Sequence, residues 1–95
     1  MSERVRIDRI CFVPAPAHLR VTGLRGWASV VIDDRWHVDG LAVRRTLGGK
    51  TVLTFPSRVD GHGVEHPYVR PVSNELRSEI EAQVVAHVRK AGYLE

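Results

Sequence analysis

The sequence predicts an α+β fold: a small antiparallel β-sheet of four to five strands followed by one C-terminal α-helix. Three observations lead there. Apolar residues alternate with period two in short runs between residues 4 and 55. Those runs are separated by Pro, Gly and Asp clusters short enough to be hairpin connections. From Leu76 the apolar period changes: positions 76, 80, 84, 88 and 91 share one helical face of roughly 120°. A helix of that kind closes the apolar face of an antiparallel sheet.

The elements follow in order. R-V-R-I-D-R-I-C-F-V (4–13) alternates as a strand, with Val5 and Ile7 on one parity and Ile10 and Phe12 on the other. The phase slips at Asp8–Arg9, which predicts a β-bulge. P-A-P-A-H-L-R (14–20) reads as a plain connecting loop, because Pro14 and Pro16 lack backbone donors. G-W-A-S-V-V-I-D (26–33) is the clearest strand, and both of its faces carry apolar groups, so both are expected to be covered. D-D-R (33–35) is a turn. W-H-V-D-G-L-A-V-R-R-T-L (36–47) resumes β structure, with Gly40 marking a second bulge. G-G-K (48–50) turns the chain into T-V-L-T-F (51–55), and Pro56 ends that strand. The helix is expected over about 74–91 from its signals: Ser73 as N-cap, Asn74 and Glu75 in the first turn, Arg89 and Lys90 in the last, Gly92 as C-cap.

Length and composition suit one domain over residues 1–95. At 43% apolar and 26% charged the chain is not compositionally disordered. A core of this size is modest, so oligomerisation would help it. No apolar run is long enough to span a bilayer, and the first residues lack a signal-peptide apolar region. With Cys11 the only cysteine, no intrachain disulfide can form, and a cytoplasmic protein is the simplest reading. The charge is uneven. Residues 1–58 hold ten Lys/Arg against five Asp/Glu, and residues 59–95 hold four against six. Twelve of the fourteen cations are arginine, whose planar fork matches phosphate.

Candidate chemistry is sparse. His62-Gly63-Val64-Glu65-His66 matches an inverted zinc-protease pattern, but that pattern needs both histidines on one helix, and Gly61, Gly63 and Pro67 oppose one. His62 and His66 are left with adventitious metal binding at most. His87 falls inside the apolar face of the helix and is expected to be a core histidine. Cys11 is expected to be packed in its strand. Asp33, Asp34 and Asp39 read as solvated turn acids. Trp27 and Trp36 are read as buried in a core or subunit interface rather than as base-stacking platforms. G-G-K-T (48–51) is only the tail of a phosphate loop and sits in a hairpin. No grouping of titratable residues suggests an enzyme, a cofactor or a resident metal. What remains is a set of basic side chains: Arg44, Arg45, Lys50, Arg58, Arg70 and Arg77. Arg44 has the parity opposite to Leu41 and Val43. Arg77, at the edge of the apolar stripe, is expected to lay its stem on the sheet and its head towards the glycine loop that Arg58 opens, forming a phosphate-contacting rim with the first helical turn.

Over residues 26–91 the series W-A-S-V-V-I-D, V-D-G-L-A-V, F-P-S-R, a glycine loop and P-V-S-N-E-L-R-S-E-I resembles the stage V sporulation protein G (SpoVG) family. Pro56, Ser57 and Arg58 match its strand-end signature, Gly63 its loop glycine and Arg77 its helix-start arginine. The resemblance implies a small bacterial regulator that binds DNA and RNA, dimerises by strand pairing and is associated with septation and sporulation. Val59 and Glu79 stand where the family often has basic residues, which shifts the expected phosphate contacts towards Arg44, Arg45 and Lys50, with Arg58 and Arg77. The competing expectation is a protein-interaction module working through an exposed strand edge or the Trp27/Val31 face.

Overall fold

A computed structural model describes residues 5–93. Eight elements follow one another: β1 (Ile7–Pro14), α1 (Ala17–Arg20), β2 (Leu24–Ile32), β3 (Trp36–Arg45), β4 (Thr51–Thr54), β5 (Ser57–Val59), β6 (Glu65–Pro67) and α2 (Asn74–Lys90). Strands β1 to β4 form an antiparallel sheet in chain order, and β5 and β6 form a separate hairpin. The α+β architecture expected from the sequence is the one observed. Among the described residues no helix is long and apolar enough to cross a membrane.

One face of the sheet meets α2. Ala28, Val30, Leu41, Val43 and Leu53 from the strands enclose Ile80, Val84 and Val88 from the helix, all of them buried. Fully burying each Val, Leu or Ile of this set contributes about 1.5–3 kcal/mol, and Ala28 less. The buried stripe is narrower than the sequence suggests, at one side chain per turn. His87 lies about 100° round from Val88 and is exposed, not a core histidine. Leu76 is half-buried and Ala91, the C-cap residue, is exposed. The caps form as read: the Ser73 hydroxyl accepts from the Leu76 N–H, and Gly92 takes a positive φ of 89°.

The other face of the sheet is open. It carries Cys11, Val13, Trp27, Val31, Ala42, Arg44 and Val52, as the cross-strand register requires. Among the described residues no buried cluster forms on it, and Cys11 is exposed rather than packed. Trp27 is 37% and Trp36 69% exposed, so neither is a core residue of the single chain. Trp36 opens β3 beside the turn at residues 33–35, beyond the end of the helix-covered region.

Three bulges shape the sheet. Asp8 is the extra residue of β1 between the pairs Ile7–Ile32 and Arg9–Val31, at the phase slip visible in the sequence. Asp39 and Gly40 together face Ser29, with Gly40 at φ 76°. Arg25 is the extra residue of β2, between the pairs Leu24–Arg44 and Gly26–Val43. A bulge re-aims the side chain it carries, and this one has consequences described below.

Both outer edges of the sheet are tied to α2 by side chains four residues apart. On β4, the Leu53 N–H donates to Glu81 at 2.9 Å, and the Leu53 carbonyl accepts from Arg77 Nη2 at 2.8 Å. Before β1, the Val5 N–H donates to Glu79 at 2.7 Å, and its carbonyl accepts from Gln83 at 3.1 Å. Residues at i and i+4 share a helix face. Each pair therefore satisfies a donor and an acceptor that would otherwise stand open on an edge strand.

Candidate nucleic-acid interface

The glycine loop expected to open at Arg58 is a hairpin. Ser57, Arg58 and Val59 pair with Pro67, His66 and Glu65. Its turn is organised by Asp60, whose carboxylate accepts from the backbone N–H groups of His62 and Val64, while its second oxygen lies 2.6 Å from His66 Nε2. These bonds, led by the one to His66, hold the Asp60 carboxyl below its usual range. Residues 62–66 run through a turn into β6, so no helical face presents His62 and His66 together. Gly63 supplies the positive φ of 80° that the turn requires.

Between this hairpin and the start of α2 lies a hollow of about 730 Å³. Arg70 and Arg77 line it, with Glu65 and Pro67 of β6 on one wall and Ser73 and Asn74 on the other. A second hollow of about 240 Å³ adjoins it, lined by Lys50, Val52, Ser78 and Glu81. Asn74 and Arg77 belong to both, so the two form one groove past the first turns of α2. Of its two carboxylates, that of Glu81 is engaged by the Leu53 N–H and that of Glu65 accepts from the Ser57 hydroxyl.

The five basic residues expected to contact phosphate fall in different places. Lys50 and Arg77 line this groove. The Arg77 guanidinium reaches the β4 carbonyl at Leu53 rather than the 57–66 hairpin. Arg44 is exposed on the open face, opposite Val52. Arg58 is exposed on β5, opposite His66. Arg45 stands apart: it lines a hollow of about 320 Å³ at the far end of α2, together with Arg20, Arg25 and Arg89.

That second centre was not legible as a group. Arg20 ends the four-residue helix α1, where the sequence suggested only a loop. Pro16 opens that helix with its carbonyl, which accepts from the Leu19 and Arg20 N–H groups. Gly23 then lets the chain return: its N–H donates to Arg20, its carbonyl accepts from the Arg45 N–H at 2.7 Å, and its φ is 99°. A Cβ at Gly23 would sit 2.6 Å from the Arg45 carbonyl oxygen. The bulge at Arg25 completes the set. The sequence signals available were Gly23 and Gly26 flanking a basic residue, and they carry no information about which face Arg25 takes.

No protein-family model matches the chain, and no curated protein matches it. The fold and the sites place it as a small α+β domain with a mixed-charge groove at one end of its helix and an arginine-lined hollow at the other.

Proposed function

We propose that this chain is a small non-catalytic, cytoplasmic regulator of the SpoVG type that binds DNA or RNA as a homodimer, with the link to septation and sporulation that its resemblance to that family implies. The observation that carries the reading is the continuity of the groove through Asn74 and Arg77, which strings Lys50, Arg77 and Arg70 past the start of α2. A sugar–phosphate backbone laid there meets three cations and the positive end of the helix dipole. Arg44 and Arg58 extend the positive border: Arg44 is paired with Val52 of the groove wall, and Arg58 lies on the strand paired with β6. Arg45 would add a contact at a distance from this groove. Dimerisation by strand pairing is favoured on β1, which among the described residues pairs only with β2, because β4 is short and its Leu53 edge is taken by Arg77 and Glu81.

A mobility-shift titration at several salt concentrations tests the reading. Log affinity is expected to fall with log salt by about 0.9 per neutralised phosphate on duplex DNA. Arg44→Glu with Lys50→Glu reverses two exposed charges without touching the bond from Arg77 to Leu53, and should reduce both affinity and slope. Binding indifferent to salt and to this double reversal would overturn the proposal.

One observation favours a second reading. The open face exposes Val13 (61%) beside Trp27, its cross-strand partner, as an interaction surface would. A protein partner held there would survive Lys50→Glu, a change in the lining of the groove, and be lost on Trp27→Glu.

A further inference from the structure

The hollow at the C-terminal end of α2 concentrates charge in a way the groove does not. Arg20, Arg25, Arg45 and Arg89 line it with Thr51 and Tyr93. Among the described residues no carboxylate lies within ion-pair distance of any of the four. The carbonyl end of α2 offers about half a negative charge, which offsets only a small part of four guanidinium charges. Arg25 Nη2 donates to the Arg20 carbonyl at 3.2 Å, while Arg25 Nε is buried and meets no acceptor. A buried guanidinium nitrogen without an acceptor is costly, and converging arginines repel one another. The chain nevertheless builds the arrangement with specific devices: a bulge that turns Arg25, and a glycine whose missing Cβ admits the Arg45 backbone.

We propose that this hollow is a discrete binding site for a small phosphate-rich anion of the nucleoside diphosphate class. Four guanidinium groups match the charge of a diphosphate better than that of a single phosphate, and their forks bind such oxygens in pairs. A volume of about 320 Å³ lies at the lower end of small-ligand sites. Tyr93 supplies the remaining chemistry. Its ring packs against Phe12 with centroids 4.9 Å apart and is still 48% exposed, leaving aromatic surface on which a planar base can stack. The site does not depend on the groove reading, because three of its four arginines lie outside the groove and outside the set assigned to nucleic acid.

The phosphate could come from a free nucleotide or from a nucleic-acid end, and calorimetric titration separates the two. The purified protein is titrated with pyrophosphate, ADP, adenosine, and an oligonucleotide with and without a 5′-diphosphate. One saturable site per chain is expected for pyrophosphate and, more tightly, for ADP, with none for adenosine. Arg45→Gln and Arg89→Gln should each weaken ADP by about tenfold or more, while Arg35→Gln, an exposed change in the turn before β3, leaves it unchanged. Both arginines are exposed, so the variants should fold, and far-ultraviolet circular dichroism verifies that they do. A 5′-diphosphate that raises oligonucleotide affinity as much as ADP binds on its own assigns the site to nucleic-acid ends. Absence of saturation by pyrophosphate and ADP at millimolar concentration, or binding that survives both substitutions, would overturn the proposal. Loss of the salt-dependent gel shift with ADP binding intact would sink the groove reading and leave this one standing.

Discussion

The two ends of α2 hold arginines for different purposes. At the N-terminal end Arg77 is committed to the Leu53 carbonyl, and Glu81 four residues on takes the Leu53 N–H. Those side chains finish the edge of the sheet before they can do anything else. At the C-terminal end, Arg20, Arg45 and Arg89 make no side-chain hydrogen bond or ion pair with another described residue, and Arg25 has one bond, to a backbone carbonyl. Equal formal charges therefore differ in availability. A cation that closes a strand edge is a structural group first, whereas a cation without an internal partner is open to a ligand. The contrast also revises what the acidic helix residues mean. Glu79 and Glu81 look hostile to polyanions in the sequence, but each carboxylate accepts from the backbone N–H of an edge segment, so both also have a structural role.

The largest effect is expected where the C-terminal hollow depends on backbone contact. Gly23→Ala puts a Cβ 2.6 Å from the Arg45 carbonyl oxygen at a φ of 99°. Left-handed strain together with overpacking against backbone should cost roughly 2–4 kcal/mol. Thermal denaturation reads the loss. A variant as stable as the parent would mean that the α1–β2 turn does not fix the position of Arg45.

The next change sharpens the comparison itself. Arg77→Ala leaves the Leu53 carbonyl without its edge donor and should destabilise by about 1–3 kcal/mol. The matched change at the other end, Arg89→Ala, removes no internal bond and should fall within about 0.5 kcal/mol of the parent, or stabilise it slightly by relieving repulsion. Chemical denaturation of the two variants side by side measures the difference. Equal losses would erase the distinction between a structural and an available arginine.

The same distinction explains how much could be read beforehand. Local signals were legible because their physics is local. The phase slip at Asp8, Gly40 in a strand, Ser73 before a helical period and Gly92 after it each correspond to an observed bulge or cap. The 57–67 hairpin was hidden because its strands are three residues long. Its fixing element is the Asp60 carboxylate, not an apolar alternation. The open sheet face misled in another way: the apolar residues on both sides of β2 suggested two covered faces, yet among the described residues only one carries a buried cluster. The four-arginine hollow draws on α1, β2, β3 and α2, and no pattern along the sequence announces that those positions converge.

The smallest effect concerns the hairpin that walls the groove. The Asp60 carboxyl is held low first by His66 and then by the Val64 and His62 N–H groups. A carboxyl whose pKa is depressed on folding contributes stability above its unfolded value and loses it as pH falls through the folded one. The Asp60 carboxylate should therefore hold the turn at neutral pH, with its contribution fading only below about pH 4. Asp60 is half-buried in the turn and, among the described residues, bonds only to groups of the 60–66 hairpin, so the change should remain local to the turn and leave the sheet and α2 in place. Amide chemical shifts of His62 and Val64 followed by NMR from pH 7 to pH 2.5 should show an acid transition that Asp60→Asn abolishes. If those shifts are the same in the variant at every pH, the carboxylate does not organise the turn, and the wall of the groove is set by the β5–β6 pairing alone.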